Sequence, residues 1–278
     1  MTDSPASRHP SRLARLLDHA ARPFSPRATN PSFSIDARTL DAELDRLRAD
    51  RTPLARPVVA VSGWRAPRTA AHMTAARLAS LTSGNPDDFA RVSLFAVRSI
   101  AQGARAIIDA VERSWPSDDP AWTREVDVVA ISMGGLASRL AAAPREGFRG
   151  VADGLPPKRL RIGRLFTLAT PHRGASLAQV VAPDACARSM LPGSAFLQAL
   201  DDALAREPID IIPYTRLRDG MVGATHTAPP GMTPIWLDGS PVLSHLSIML
   251  DRRILLDVAL RLRNERPIAG AGDPPPHD

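Results

Sequence analysis

The chain has 278 residues, and its 44% hydrophobic and 23% charged residues are typical of a globular protein with a sizeable core. Its net charge of +6 comes from arginines spread among carboxylates, with Lys158 as the only lysine, and only 4% of residues are aromatic. A nucleic-acid-binding surface is therefore not expected, because such surfaces gather basic residues into patches and stack bases on aromatic rings.

The cysteine content and the apolar runs bear on the compartment. Cys186 is the only cysteine, which excludes an internal disulfide and fits a reducing compartment. The first 30 residues lack the apolar core of a secretory signal, and no later run approaches the about 18 apolar residues of a transmembrane segment. We therefore expect a cytoplasmic protein, and the sequence does not predict its oligomeric state.

The two ends of the chain differ in composition from the middle. Residues 1–52 form a predicted N-terminal extension with two amphipathic helical stretches, "SRLARLLDHAA" at 11–21 and "DARTLDAELDRLRAD" at 36–50. Residues 53–266 form the predicted main domain. The Pro- and Gly-rich residues 267–278 are predicted to be a disordered tail.

The main domain alternates strand-like and helix-like segments. The strand-like segments are short, apolar and rich in β-branched residues, and they lie at 57–61, 91–97, 126–131, 164–169, 209–214 and 234–237. The clearest helix follows Ser99, a predicted N-cap. This alternation predicts an α/β fold with a doubly wound, mostly parallel sheet flanked by helices, whose functional residues follow the carboxyl ends of strands.

The segment "VDVVAISMGGLASRL" at 126–140 places Ser132 at a turn from strand to helix. Small residues flank the serine (Ala130, Gly134 and Gly135), as a sharp turn requires, and the N-terminus of the following helix favours negative charge near the hydroxyl. A serine before two glycines could also form an ordinary turn. The whole context favours a nucleophile at Ser132.

A nucleophilic serine needs a base and an acid that orients the base. Asp219 follows the fifth predicted strand and His245 follows the sixth, so the chain order is serine, acid, histidine. Competing candidates for the acid and the base are Asp201, Asp202, Asp210, Asp238 and His226. His172, which follows Pro171 at a strand end, is interpreted as a residue that shapes the loop beside the site.

An oxyanion hole needs two donors besides the nucleophile. The turn "SGW" after the first strand contains Gly63, where the backbone can approach the site closely, and it makes the backbone N–H of Trp64 available. The N–H of Met133 is the second predicted donor. The alternative interpretation of "SGW" is an ordinary turn at the end of a strand.

These segments resemble the α/β-hydrolase superfamily, and more narrowly its lipase-like and PGAP1-like bacterial members. The resemblance covers about residues 55–263 and rests on "AISMGG", "SGW", "LFTLATPHRGASL" and "SMLPGSAFLQAL". It implies a Ser132–His245–Asp219 triad with oxyanion donors at Trp64 and Met133. The chain departs from the usual GHSxG turn at Ala130 and Ile131, and it has Ser62 where a histidine is frequent before the oxyanion glycine.

The resemblance and the length of one connection also predict a cap and a substrate. The segment at about 173–208 is too long for a simple connection between two strands, and it contains helical apolar patterns. We therefore expect a short helical cap over the site. Gly63 and the cap side chains Leu177, Met190, Leu191 and Phe196 are predicted to contact substrate. The alternative interpretation of the cap side chains is that most of them pack against the core, as their helical spacing also favours. The expected substrates are small or lipid-like esters of apolar acids, with short or medium chains before long ones.

Two other functions are compatible with the sequence. A hydrolase fold can act as a catalytically silent binding module, and the same triad can serve an acyltransferase, an amidase or a peptidase. No metal-binding or nucleotide-binding motif is present in the sequence, so no cofactor is predicted.

Overall fold

The computed structural model describes residues 29–148, 154–179, 184–240, 244–270 and 272–278. The amphipathic stretch predicted at 11–21 lies outside these residues. From the first strand onward, the described chain alternates strands and helices, in the order expected from its hydrophobic pattern.

Six strands form one sheet. They are β1 (Val58–Val61), β2 (Phe89–Val92), β3 (Val126–Ile131), β4 (Ile162–Leu168), β5 (Ile211–Arg216) and β6 (Ile235–Leu237). Their order is β2-β1-β3-β4-β5-β6, and every neighbouring pair is parallel, so the predicted doubly wound sheet is confirmed. β2 differs most from its predicted position at 91–97, because the chain leaves the sheet after Val92 and turns toward the next helix.

The helices lie on both faces of this sheet. They are α1 (Ala37–Ala49), α2 (Thr69–Leu81), α3 (Ile100–Ser114), α4 (Met133–Ala142), α5 (Ala185–Ser189), α6 (Ala195–Arg206), α7 (Ser244–Ser247) and α8 (Arg252–Leu262). The predicted N-cap of α3 is confirmed, since the Ser99 side chain accepts a hydrogen bond from the backbone N–H of Gln102.

Alternate residues of each strand enter two separate cores. Val59 and Val61 of β1 pack on the side of α3 and α4, whereas Val58 and Ala60 pack on the side of α1, α2 and α8. A sheet that is covered on both faces needs apolar side chains at every position. This requirement explains why the strand segments lack alternating polar residues.

The strand order places a crevice next to β1. From β1 the chain moves outward to β2 and then crosses back to form β3 on the other side of β1. Open α/β sheets bind ligands outside the carboxyl ends of the strands, where the strand order reverses. The turns that follow β1 and β3 flank this position.

The described part of the N-terminal extension packs on the domain. Helix α1 confirms the helix predicted at 36–50, and its Leu40, Leu44 and Leu47 are buried in the same core as the strands. Phe33 joins them. Residues 33–47 therefore contribute directly to the hydrophobic core.

The C-terminal residues differ from the predicted disorder at 267–278. The backbone N–H groups of Ile268 and Ala269 both donate to the buried Asp257 carboxylate, each at 2.8 Å. Trp236 donates its indole N–H to the Asp273 carbonyl at 2.8 Å. Proline and glycine composition alone predicts disorder here, but these specific polar contacts order the segment against the domain.

Candidate active site

Ser132 lies at the turn between β3 and α4, with φ 51° and ψ −128°. This conformation is uncommon for a residue other than glycine and is strained. Two contacts stabilise it: the Ser132 N–H donates to the Leu168 carbonyl at 2.8 Å, and the Thr170 hydroxyl donates to the Ser132 carbonyl at 2.8 Å. Both partners lie on or just after β4, so the neighbouring strand fixes the turn.

The glycines around Ser132 are required by close contacts that leave no room for a side chain. A Cβ atom on Gly134 would lie 2.7 Å from the Ser62 carbonyl oxygen, and one on Gly135 would lie 2.4 Å from the Thr170 hydroxyl. A Cβ on Gly63 would lie 3.0 Å from the Ser132 Cβ. The turns after β1 and β3 are therefore in direct contact at the crevice.

The structure brings Ser132, His245 and Asp219 together. The distance from His245 Nε2 to Ser132 Oγ is 3.1 Å, and the distance from His245 Nδ1 to Asp219 Oδ2 is 2.8 Å. An ionised carboxylate can only accept hydrogen bonds, so Nδ1 carries the proton and Nε2 is left to accept the serine hydroxyl proton. This is the arrangement that activates a serine nucleophile.

The loop after β5 orients the Asp219 carboxylate. The carboxylate oxygen that does not face His245, Oδ1, accepts hydrogen bonds from the backbone N–H groups of Met221 at 3.0 Å and Val222 at 3.1 Å. The side chain is buried, so these bonds replace the water that an exposed carboxylate would bind. Both oxygens therefore have partners, and the carboxylate faces His245 in one orientation.

The competing acid Asp201 and the competing histidine His226 lie elsewhere. Asp201 is on α6 and pairs with Arg139 at 2.9 Å. The Nδ1 atom of His226 is 3.2 Å from the carbonyl oxygen of Val222, within its own loop. Neither side chain contacts Ser132.

The two predicted oxyanion donors lie beside Ser132. Met133 is the first residue of α4, and Trp64 follows the Gly63 that contacts Ser132. Among the described residues, no backbone carbonyl accepts a hydrogen bond from the N–H of Trp64 or of Met133. Both donors are thus available to an oxygen atom bound next to the serine.

Ser132 and His245 open into an apolar cavity of about 540 Å³, which we call the acyl cavity. This volume is within the range of small-molecule sites, about 300–1,000 Å³. Three of the predicted contact residues line it, namely Gly63, Leu177 and Met190. Other lining residues were not predicted from the sequence: Pro171, Ala175, Ala187, Met221, Leu246 and Met249.

Two other predicted substrate contacts, Leu191 and Phe196, are not among the residues that line the acyl cavity. Phe196 is buried, and its ring contacts that of Phe148 edge to face, with centroids 6.3 Å apart. Leu191 packs against the same core. The Phe196 side chain therefore faces the domain.

A buried arginine near the site was missed in the sequence. Arg139 of α4 is 2% exposed, and it pairs with Asp201 on α6 and with Nδ1 of His172 at 3.0 Å. Nε2 of His172 lies 3.2 Å from the Thr167 hydroxyl. The sequence did contain a signal for this buried charge: Arg139 is the single charged residue in the otherwise apolar helix that directly follows the nucleophile.

Burial and two nearby cations act on His172. Because the ring is fully buried and Arg139 and Arg173 are close, the pKa of His172 lies well below its usual 6.5. His172 is therefore neutral at physiological pH. A guanidinium only donates, so Nδ1 accepts from Arg139 and Nε2 carries the proton toward Thr167.

Two features are absent from the described part of the chain. No helix there is long and apolar enough to cross a membrane. The same residues contain no cluster of three or more His, Cys, Asp or Glu side chains placed to bind a metal ion.

Comparison with known proteins relates this architecture to solved structures. No model of a known protein family matches the sequence, and no curated protein does. The fold is similar to that of the mature Bacillus licheniformis lipase BlEst2, with a TM-score of 0.52, 16% identity, and coverage of 77% of this chain and 94% of that chain. The propeptide form of the same lipase gives a TM-score of 0.51 at 15% identity, covering 81% of this chain and 54% of that one. The chain therefore has the α/β-hydrolase fold.

Proposed function

We propose that this protein is a serine hydrolase that cleaves carboxylic esters of apolar acids. The observation that supports the proposal most is the position of His245 between Ser132 and Asp219, at distances of 3.1 Å and 2.8 Å. This arrangement lies at the edge of an apolar cavity that is large enough for an acyl chain. The fold similarity to a Bacillus licheniformis lipase agrees with it.

The reaction proceeds in two steps. His245 takes the proton of the Ser132 hydroxyl as its oxygen attacks the ester carbonyl, and the N–H groups of Trp64 and Met133 bind the negative oxygen that forms. His245 then gives its proton to the departing alcohol, which leaves an acyl-enzyme. Asp219 stabilises the protonated imidazole throughout.

Water completes the cycle. His245 accepts a proton from a water molecule that attacks the acyl group on Ser132, and it then returns this proton to the Ser132 oxygen as the acyl–serine bond breaks and the carboxylic acid is released. A different acceptor in place of water would make the same protein an acyltransferase. Measuring products in the presence of a competing alcohol or amine distinguishes these activities.

The cavity favours substrates with an apolar acyl group over substrates, such as many peptides, whose acyl group carries a charge. Its lining includes Leu177, Met190, Leu246 and Met249, and Arg65 is the only permanently charged side chain among the described residues that line it. A buried charge or unpaired polar group in the acyl portion would lose its hydration there. We therefore place the chain with lipase-like hydrolases, and its PGAP1-like resemblance and cytoplasmic location stay predictions from the sequence.

The test is hydrolysis of p-nitrophenyl esters of increasing acyl length by the full chain. We expect turnover of short and medium chains, and its loss in Ser132→Ala. The matched control is Ser138→Ala, since Ser138 lies on the same helix but donates only to the Gly134 carbonyl. A folded protein that hydrolyses no ester and reacts with no fluorophosphonate is a silent binding module and contradicts the proposal.

A further inference from the structure

The segment from Thr170 to Ala178, which we call the wall loop, forms one side of the acyl cavity. Pro171, Ala175 and Leu177 of this loop line the cavity. The loop also contacts two other parts of the site: the Ala175 N–H donates to the Met190 carbonyl at 2.8 Å, and the Leu177 N–H donates to the Met221 carbonyl at 3.0 Å. A shift of the wall loop therefore changes the cavity.

One buried side chain connects the wall loop to the nucleophile helix. Arg139 lies seven residues after Ser132, about two helical turns along α4. One of its terminal nitrogens contacts His172 of the wall loop at 3.0 Å. His172 in turn contacts the Thr167 hydroxyl on β4 at 3.2 Å.

The same guanidinium also contacts the cap. Its other terminal nitrogen donates to Asp201 of α6 at 2.9 Å. Helix α6 packs with α5, whose Ala187 lines the acyl cavity, as does Met190 just after it. A planar guanidinium with two donors at a fixed angle can define both contacts at once, which a lysine cannot do.

Stability alone is a weak explanation for this group. Removing an arginine from water is costly, and well-packed apolar residues commonly replace buried ion pairs with equal or greater stability. Arg139 is 2% exposed, among the apolar side chains of a fully buried helix. A defined geometry is what the charged group adds at this position.

We propose that Arg139 is a positioning residue that fixes the wall loop and the cap against Ser132, through His172 and Asp201, and so determines which acyl chains the site accepts. This inference rests on the proposed ester hydrolysis and specifies its selectivity. Arg139 does not touch the reacting atoms. Its loss changes the shape of the acyl cavity and leaves the contact between His245 and Ser132 in place.

The first test compares a variant on helix α6, at Asp201, with a variant at the C-cap of the same helix, Glu207. Asp201→Asn removes the negative charge that faces Arg139. The matched control Glu207→Gln likewise removes the negative charge that faces Arg159, at a position outside the acyl cavity. We expect Asp201→Asn to raise KM for the octanoyl ester about tenfold, or about 1.4 kcal/mol, and to leave kcat for the acetyl ester within about twofold of its original value. Glu207→Gln leaves both constants unchanged.

Equal changes of KM for both esters, or the same change in Glu207→Gln, would overturn the proposal. Arg139→Lys serves as the conservative variant, because it keeps the charge but lacks the planar fork that contacts His172 and Asp201 from two separate nitrogens. We expect it to show the selectivity loss of Asp201→Asn. Full octanoyl selectivity in Arg139→Lys would also contradict a geometric role.

The second test does not depend on activity. In Ser132→Ala, we expect Asp201→Asn to accelerate amide hydrogen exchange at Ala175 and Leu177, whose N–H groups donate to the Met190 and Met221 carbonyls. Unchanged exchange overturns the positioning role even if ester hydrolysis is established. Conversely, faster exchange in a protein that hydrolyses no ester overturns the proposed function and the selectivity role, while the structural link stands.

Discussion

The turn around Ser132 and the cap both line the acyl cavity, and they are fixed by different means. At the Ser132 turn, the geometry is determined by two hydrogen bonds of 2.8 Å to the Ser132 backbone, from the Thr170 hydroxyl and to the Leu168 carbonyl, and by glycines with no room for a side chain. The cap helices α5 and α6 pack on the domain through apolar side chains, and among the described ion pairs one joins them to α4, between Asp201 and Arg139. Leu177 of the cap is 39% exposed.

This difference assigns different tasks to the two sides. A chemical step needs groups fixed to within fractions of an ångström, and the Ser132 turn provides that precision. Substrate selection depends on the volume and polarity of the wall, and the cap can vary in both without disturbing the triad. We therefore expect substitutions near Ser132 to change kcat and substitutions in the cap to change KM.

The largest expected effect comes from Asp219→Asn. The amide side chain favours the wrong tautomer of His245, so we expect kcat to fall about 10⁴-fold with little change in KM. The control is Asp202→Asn, an exposed competing acid on α6 that contacts no part of the triad. A loss of activity in Asp202→Asn that equals the loss in Asp219→Asn would contradict the assignment of the acid.

Phe196→Ala and Leu177→Ser divide the cap into a core side and a cavity side. Phe196 is buried against Phe148, so we expect its truncation to lower the free energy of unfolding by about 3–5 kcal/mol. Ester selectivity should not change. Leu177→Ser should change stability by less than about 0.5 kcal/mol and raise KM for the longer esters.

Chemical denaturation and ester kinetics measure the two effects separately. If Phe196→Ala altered selectivity while Leu177→Ser did not, the assignment of the two faces of the cap would be reversed.

Gly134→Ala tests whether activity requires the exact geometry of the Ser132 turn. The added Cβ would lie 2.7 Å from the Ser62 carbonyl, so it displaces the turn that presents the Trp64 N–H. We expect kcat to fall about 10²-fold, whereas Gly147→Ala should be neutral because its nearest neighbour is the flexible end of Arg206 at 3.1 Å. A Gly134→Ala protein with full kcat would show that the turn tolerates movement.

The smallest effect is a pH dependence of stability from His172. Its folded-state pKa is lowered by burial and by Arg139, whereas the unfolded chain binds a proton near pH 6.5. The unfolded state therefore binds more protons below pH 6.5, and stability falls there by up to about 1.4 kcal/mol per pH unit. Above pH 6.5 this contribution is fully present.

Chemical denaturation between pH 5 and 8 measures the slope, and His172→Gln should remove this part of it whatever its stability at neutral pH. An identical slope in both proteins would contradict a neutral, buried His172.

Much of the Ser132 turn and of the sheet edge around it could be predicted from the sequence, because the features that determine them are local. The apolar strand before Ser132 and the glycines after it specify a sharp turn within a few residues. The alternation of strands and helices likewise predicts a parallel sheet and places the following loops at one edge. The proximity of Asp219 and His245 to Ser132 follows from that edge.

The cap could not be predicted in the same way because its determinants are long-range. An amphipathic helix shows which side chains are apolar, but not whether they face the domain or the cavity, so Phe196 and Met190 looked equivalent. Arg139 and Asp201 are 62 positions apart and pair only after the cap has folded onto α4. The ordered tail depends on Asp257 in the same way.

The most direct test of the whole account is to react the full chain with a fluorophosphonate and to locate the adduct by peptide mass spectrometry. A hydroxyl activated by His245 at the edge of the sheet predicts one stoichiometric adduct, on Ser132. The adduct should form far more slowly in His245→Gln. A folded protein that carries no adduct, or carries it on another residue, would contradict the central claim.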